Sequence, residues 1–251
     1  MRLLFIFTVA LFLISCHTHK LTEQRLAEYH NSASYLHTSK IDSLPKKDTI
    51  CVRLNKIALN QTLKATRQKK LFVPLVIFNY RRVHMNITLG QSSLTKPYKD
   101  FFLESFIEET RRTGSWLASE KEPNENQYTV DVSIDSCYTQ ARYRRTLMII
   151  FPINLIYFIR TEKQTDQAET TIIISAKLSK GTKLVSEKSY TFKKSQRFFK
   201  SDLYKGKSVL FDNLDRRRTL LLRNMTESLS LTTKECIEKV VFDINNSLIA
   251  K

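Results

Sequence analysis

Residues 128–143, YTVDVSIDSCYTQARY, alternate apolar Tyr128, Val130, Val132 and Ile134 with polar Thr129, Asp131, Ser133 and Asp135. Successive strand residues point to opposite sides, so this period of two describes a β-strand with one face in a core and the other in water. Asp131 and Asp135 both fall on the wet face, which accounts for them without an acid–base pair. Residues 170–178 and 184–193 alternate in the same way around Ser179-Lys180-Gly181-Thr182, a hairpin signature. Upstream, residues 48–57 (DTICVRLNKI) and 71–80 (LFVPLVIFNY) read as strands, and 81–89 (RRVHMNITL) as a further one. Pro74 cannot donate to a ladder, which puts the second of these at an edge, a strand start or a bulge.

Helices fill the remainder. After a turn at Gly90, Thr95 and Pro97 introduce a helix that gathers Tyr98, Phe101, Phe102, Phe106 and Ile107 on one side. Lys99, Glu104, Glu108 and Arg111 turn elsewhere, and Gly114 is a natural stop. Near the C-terminus, residues 213–229 are rich in Leu and Arg, whereas 232–249 open with a Thr232/Glu235 capping box and space Ile237, Val240, Val241, Ile244 and Leu248 helically. The expected fold is α+β, a mixed and mostly antiparallel sheet with amphipathic helices packed on one face. It forms a single domain over residues 48–251.

Between the alternating strand and the hairpin lies LMIIFPINLIYFI, residues 147–159, bracketed by Arg142, Arg144 and Arg145 before it and Arg160 and Lys163 after. Thirteen residues are too few for a membrane span of about 20, and Pro152-Ile153-Asn154 suggests two short strands joined at a bend, or an apolar loop. Two readings stand. The segment is an interfacial element whose arginines meet phosphates, or two buried strands with snorkelling arginines at their ends. On the first, Arg144, Arg145, Leu147, Ile149, Phe151, Leu155, Tyr157 and Arg160 are the contact residues for a membrane or a partner.

The N-terminus carries Arg2, an apolar run from Leu3 to Ile14, and Leu13-Ile14-Ser15-Cys16. Twelve residues rise about 18 Å as a helix, short of the roughly 30 Å hydrocarbon core. LISC resembles the lipobox of bacterial lipoproteins. That resemblance implies a signal peptide over residues 1–15, a diacylated Cys16 (a palmitate-type modification) and a mature chain held on a membrane, two acyl chains anchoring stably where one is marginal. Residues 16–47 are polar and read as lipidated cysteine and flexible tether. They lack the acidic run of surface-export signals, so the resemblance implies the cell envelope, on the periplasmic face of the outer membrane. Richness in Lys, Asn, Ile and Phe with only four glycines suggests an AT-rich, Bacteroidetes-like genome. The order of elements over residues 48–249 is similar to small α/β envelope lipoproteins that assist lipid or lipopolysaccharide transport, an analogy of topology, since fold does not imply function.

The formal net charge of +17 falls to +16 once Arg2 leaves with the signal, so the folded part is itself basic. Export removes nucleic acid as a partner and leaves anionic lipid, lipopolysaccharide phosphates or acidic protein faces. With Cys16 acylated, Cys51, Cys137 and Cys236 permit at most one bridge, and buried free thiols are the simpler reading. His17, His19, His30 and His37 lie in the tether without a carboxylate or thiolate cluster, so neither a metal site nor a cofactor is expected. No HExxH, G-x-S-x-G, P-loop or paired CxxC occurs, and His84 is the only histidine left for a domain mechanism. The reading favours a binding or assembly component for a partner protein or anionic lipid. The alternatives are a hydrolase with a nonstandard site and a structural subunit of an envelope complex.

Overall fold

A computed structural model of the chain describes residues 32–36, 49–74, 78–113, 116–121, 127–150, 157–197 and 214–249. Cys16, Phe151, Leu155, the signal, the four tether histidines and Gly114 lie outside the described residues.

The alternating segment is the start of the organising strand. β5 (Tyr128–Ile150) runs 23 residues, about 75 Å at 3.3 Å per residue, and serves every other part of the sheet. One of its edges pairs along almost its whole length with antiparallel β6 (Tyr157–Lys180). The other edge is shared end to end. Parallel β1 (Thr49–Leu59) covers Thr129 to Cys137, and antiparallel β3 (Phe78–Thr88) covers Gln140 to Ile150. β4 (Leu117–Ser119) extends the sheet beyond β1, β2 (Lys64–Pro74) beyond β3, and β7 (Lys183–Arg197) beyond β6. Seven strands therefore make a sheet of two halves, a body ordered β4-β1-β5-β6-β7 and an arm ordered β2-β3-β5-β6. It is mixed and mostly antiparallel, and with its helices the fold is α+β.

The β6–β7 hairpin closes through Gly181-Thr182, and Gly181 takes φ 56°, a left-handed conformation that glycine adopts without a Cβ clash. Gly90 meets a different demand. Its backbone is extended, but the connection from β1 to β2 passes so close that a Cβ would stand 2.2 Å from the Thr62 carbonyl carbon. Two backbone bonds hold that crossing, Gln91 N–H to Asn60 O at 2.8 Å and Ser92 N–H to Gln61 O at 2.9 Å.

Among the described residues two α-helices cover one face. α1 (Tyr98–Thr113) starts where the Gln91 side chain accepts the Tyr98 N–H at 3.0 Å, and it buries Tyr98, Phe101, Phe102 and Phe106 as its spacing predicts. Ile107 is only half-buried. Phe102 stacks on Phe106, which meets buried Trp116 at a centroid separation of 6.0 Å. α2 (Leu214–Ile249) packs on β5, β6, β7 and α1, and both helices contribute to the core cluster that contains Val130, Val132, Ile134, Ile172 and Ile174.

Three sequence expectations are corrected. Residues 71–80 are not one strand: Pro74 pairs with Asn79, so the chain reverses just after Pro74, the last residue of edge strand β2. The two C-terminal helices are a single helix of 36 residues, about 54 Å long. Thr232 is no cap. Its hydroxyl donates to the Ser228 carbonyl one turn back at 2.8 Å, as those of Thr226, Ser230 and Thr233 do to Leu222, Thr226 and Leu229. Hydroxyls satisfied within their own helix let a Ser/Thr-rich face lie buried against the sheet. Residues 64–70 and 160–169, to which the sequence pattern assigns no element, are strand, although neither shows an apolar period.

Candidate functional site

In the body, polar groups of the core satisfy one another. The Thr233 hydroxyl donates to the Leu229 carbonyl, so it accepts from the Tyr98 hydroxyl at 2.9 Å, and Tyr98 in turn bonds the Cys137 thiol. One chain of hydrogen bonds thus joins β5, α1 and α2. Burial pushes the Cys137 thiol up to about 12 and also raises Cys236 and Tyr98 well above their ordinary values. Such thiols stay protonated and are poor nucleophiles. Cys51, Cys137 and Cys236 are all free and buried. A second chain, Thr139 to Thr170 at 2.9 Å and Thr170 to Ser228 at 2.8 Å, fastens α2 to the sheet.

The geometry separates His84 from both strand thiols. Met85 and Ile87 on β3 are buried in the core cluster, so the pleat sets half-exposed His84 on the other face of the sheet, whereas Cys137 reaches Tyr98 on the helical side. Cys51 pairs with Thr129, fifteen β5 positions from Arg144, the partner of His84, or about 50 Å along the strand. Asp131 and Asp135 occupy the wet face, accepting from the Asn55 amide at 3.4 Å and the Ser175 hydroxyl at 3.2 Å. Among the described residues no group of three His, Cys, Asp or Glu side chains converges as a metal site would.

Part of the segment expected to be tether is seated. Ser32–Leu36 lies against α1 and α2: Ser34 N–H donates to the Ser230 hydroxyl at 3.2 Å, and Lys234 donates to the Leu36 carbonyl at 2.6 Å. Lys234 also stands 5.5 Å from the centre of the Tyr35 ring. Burial, then the charges of Glu109 and Glu238, hold the Tyr35 hydroxyl protonated far above the usual tyrosine range. A mixed cavity of about 730 Å³ opens beside it against Phe101, Ile107 and Arg111.

The other distinctive feature is the arm. Its root is the irregularity at Arg142, where the β5–β6 ladder passes from Ala141↔Ala168 to Tyr143↔Gln164. Opposite this point β7 ends, with Arg197 paired to Gln167. β2 and β3 receive little cover from either helix. α2 has fourteen residues before Ser228, so even running parallel to the strands it would extend about 21 Å beyond the level of Thr170, while β5 continues eleven residues, about 36 Å, past Thr139. The arm therefore outreaches the helix.

Register places the expected contact residues there and adds others. Among the rows that cross all four strands, four consecutive ones are Lys69–His84–Arg144–Lys163, Lys70–Val83–Arg145–Glu162, Leu71–Arg82–Thr146–Thr161 and Phe72–Arg81–Leu147–Arg160. They carry eight Lys or Arg against one Glu. Beyond them come Val73–Tyr80–Met148–Ile159, Pro74–Asn79–Ile149–Phe158 and Phe78–Ile150–Tyr157, in which Asn79 is the one amide among apolar and aromatic residues. Arg144, Arg145, Leu147, Ile149, Tyr157 and Arg160 are thus brought together. Lys69, Lys70, Arg81 and Arg82 were not singled out from the sequence, yet KKLFVP and FNYRR bracket an apolar run with cations as residues 144–160 do, and that symmetry was the available signal.

No family model and no curated protein sequence matches the chain. Among solved structures, a Xanthomonas campestris protein of family DUF330 aligns over 88% of this chain and 98% of its own at 10% identity, with a TM-score of 0.38. An uncharacterized protein aligns over 84% of this chain and 99% of its own at 9% identity, with a TM-score of 0.31. Likenesses this slight bear on neither mechanism nor partner.

Proposed function

We propose that the protein is a lipid-anchored envelope component that binds rather than catalyses, held through Cys16 on the periplasmic face of the outer membrane, with the arm as its binding element. The observation that carries this reading is the concentration of eight cations behind an apolar end, on a part of the sheet that outreaches its helices. A cationic surface of that density recruits anionic partners and speeds their encounter. Such a partner is an anionic lipid or an acidic protein of the envelope. Among the described residues no helix is long and apolar enough to cross a membrane.

The hydrolase alternative would draw on His84, and the separation of that residue from Cys51 and Cys137 leaves it without either thiol as nucleophile. Replacement of Cys16 by Ser tests the anchor. Acyl labelling of the full chain is expected to disappear and the protein to leave the washed membrane fraction. Labelling retained in the variant would refute lipidation at this residue.

A further inference from the structure

We infer that the end of the arm seats in an anionic lipid surface, with its three outer rows among the upper acyl chains and its four basic rows at the headgroup phosphates. The inference rests on the arm being the binding element and names what it binds. Three features of the register carry it.

The first is depth. Three apolar rows span about 7–10 Å at 3.3 Å per row, and an interfacial element buries its apolar part about 5–10 Å. Four basic rows occupy the next 10 Å or so, comparable with the roughly 5–8 Å of one headgroup layer. Among the described residues the order along the arm is the order of a leaflet, apolar toward the end and cationic behind. The second is symmetry. Successive rows belong to opposite faces of the pleat, and the cations divide evenly, Lys69, Arg82, Arg144 and Lys163 in one set and Lys70, Arg81, Arg145 and Arg160 in the other. An acidic groove on a protein would engage one face, whereas a lipid surface surrounds an inserted ribbon and meets both. The third is the limit on insertion. Strand ends and edges leave backbone N–H and C=O groups that hydrocarbon cannot satisfy, and the basic rows stop the arm at the interface before those of β2 and β6 sink further.

The test uses the acylated full chain carrying Met148→Cys labelled with a polarity-sensitive fluorophore, reconstituted in vesicles of phosphatidylcholine alone or with about 30% phosphatidylglycerol, a content chosen to give a surface potential of the order that recruits basic segments. The three body thiols are buried, so labelling is confined to the new site. Quenching by lipids spin-labelled near the headgroup is expected to be at least about fivefold greater in the anionic vesicles, and to fall to the neutral level at about 0.5 M salt, where screening is nearly complete. A label at Leu184→Cys, an exposed position on β7 beside the far end of β6, should report no difference. Arg81→Gln, Arg145→Gln and Arg160→Gln together should bring the anionic signal down close to the neutral level, a loss of most of the roughly fivefold difference. Equal quenching in the two vesicle types, or none in either, would overturn the inference and leave an acidic protein as the arm's partner. Loss of the protein from neutral vesicles would instead refute the acyl anchor, and quenching in anionic vesicles would still report the arm.

Discussion

Cys137 shows how a single buried group sets a response of the whole protein. Its thiol sits where β5, α1 and α2 meet, bonded to Tyr98, and burial raises its pKa from an ordinary 9.0 to about 12. Between those values the unfolded chain has released this proton and the folded chain keeps it, so the folded state binds more protons and stability falls as pH rises. The contribution is fully present below pH 9 and lost as pH passes 12, on the order of a few kcal/mol. Cys236 and Tyr98, raised by the same desolvation, act with the same sign. Urea unfolding between pH 8 and 11 should therefore show a declining midpoint, and Cys137→Ala should flatten part of the decline. An identical slope in the variant would place the response elsewhere. Asp243 works in the opposite direction. Burial opposes its ionisation, but hydrogen bonds from Tyr190 and Lys239 and the charge of Lys188 at 3.6 Å more than offset that, holding it below the usual carboxylate range.

At the scale of elements, α2 and the sheet are joined through hydroxyls of two kinds, and substitution separates them. Thr170 links Thr139 on β5 to Ser228 on α2, all of them buried. Thr170→Val removes the middle of that chain and orphans two hydroxyls, which should cost about 1–3 kcal/mol in chemical denaturation. Thr232→Val removes a donor to a carbonyl within α2 and should cost less than about 1 kcal/mol. A cost for Thr232→Val equal to that of Thr170→Val would mean that residue 232 does more than satisfy its own helix. The same hydroxyls explain a misreading. Thr232 with Glu235 has the spacing of a capping box, and only the i−4 bonds reveal a helix interior. β5 was legible in its first half because one face is buried and the other wet, so burial printed itself on the sequence at period two. Residues 64–70 and 160–169, KATRQKK and RTEKQTDQAE, carried no such print. They are strand because neighbouring ladders pair them, and those contacts are remote in sequence. The candidate site divides in the same way. Its β5 and β6 members are one sequence segment and were visible, whereas Lys69, Lys70, Arg81 and Arg82 join them only through the β2–β3 reversal at Pro74 and the pairing of β3 with β5.

Over the whole molecule, one long strand gives two functions of shape. The first half of β5 builds a core under two helices, and the second half carries an arm with its charge and apolar residues sorted by row. Seating of Ser32–Leu36 against α1 and α2 leaves fifteen residues, or sixteen Cα–Cα steps, between Cys16 and Ser32, which span at most about 55 Å. On the proposed reading the acyl anchor and the arm would meet one membrane, and two attachments in one molecule would reinforce each other through effective concentration. Hydrogen–deuterium exchange of the acylated protein on anionic against neutral nanodiscs tests this account most directly. The result it expects is slower exchange on anionic lipid in peptides covering residues 67–74, 78–84, 143–150 and 157–163, with the β6–β7 turn unchanged. Protection confined to α2 or to the seat of Ser32–Leu36, with the arm exchanging equally on both surfaces, would contradict it.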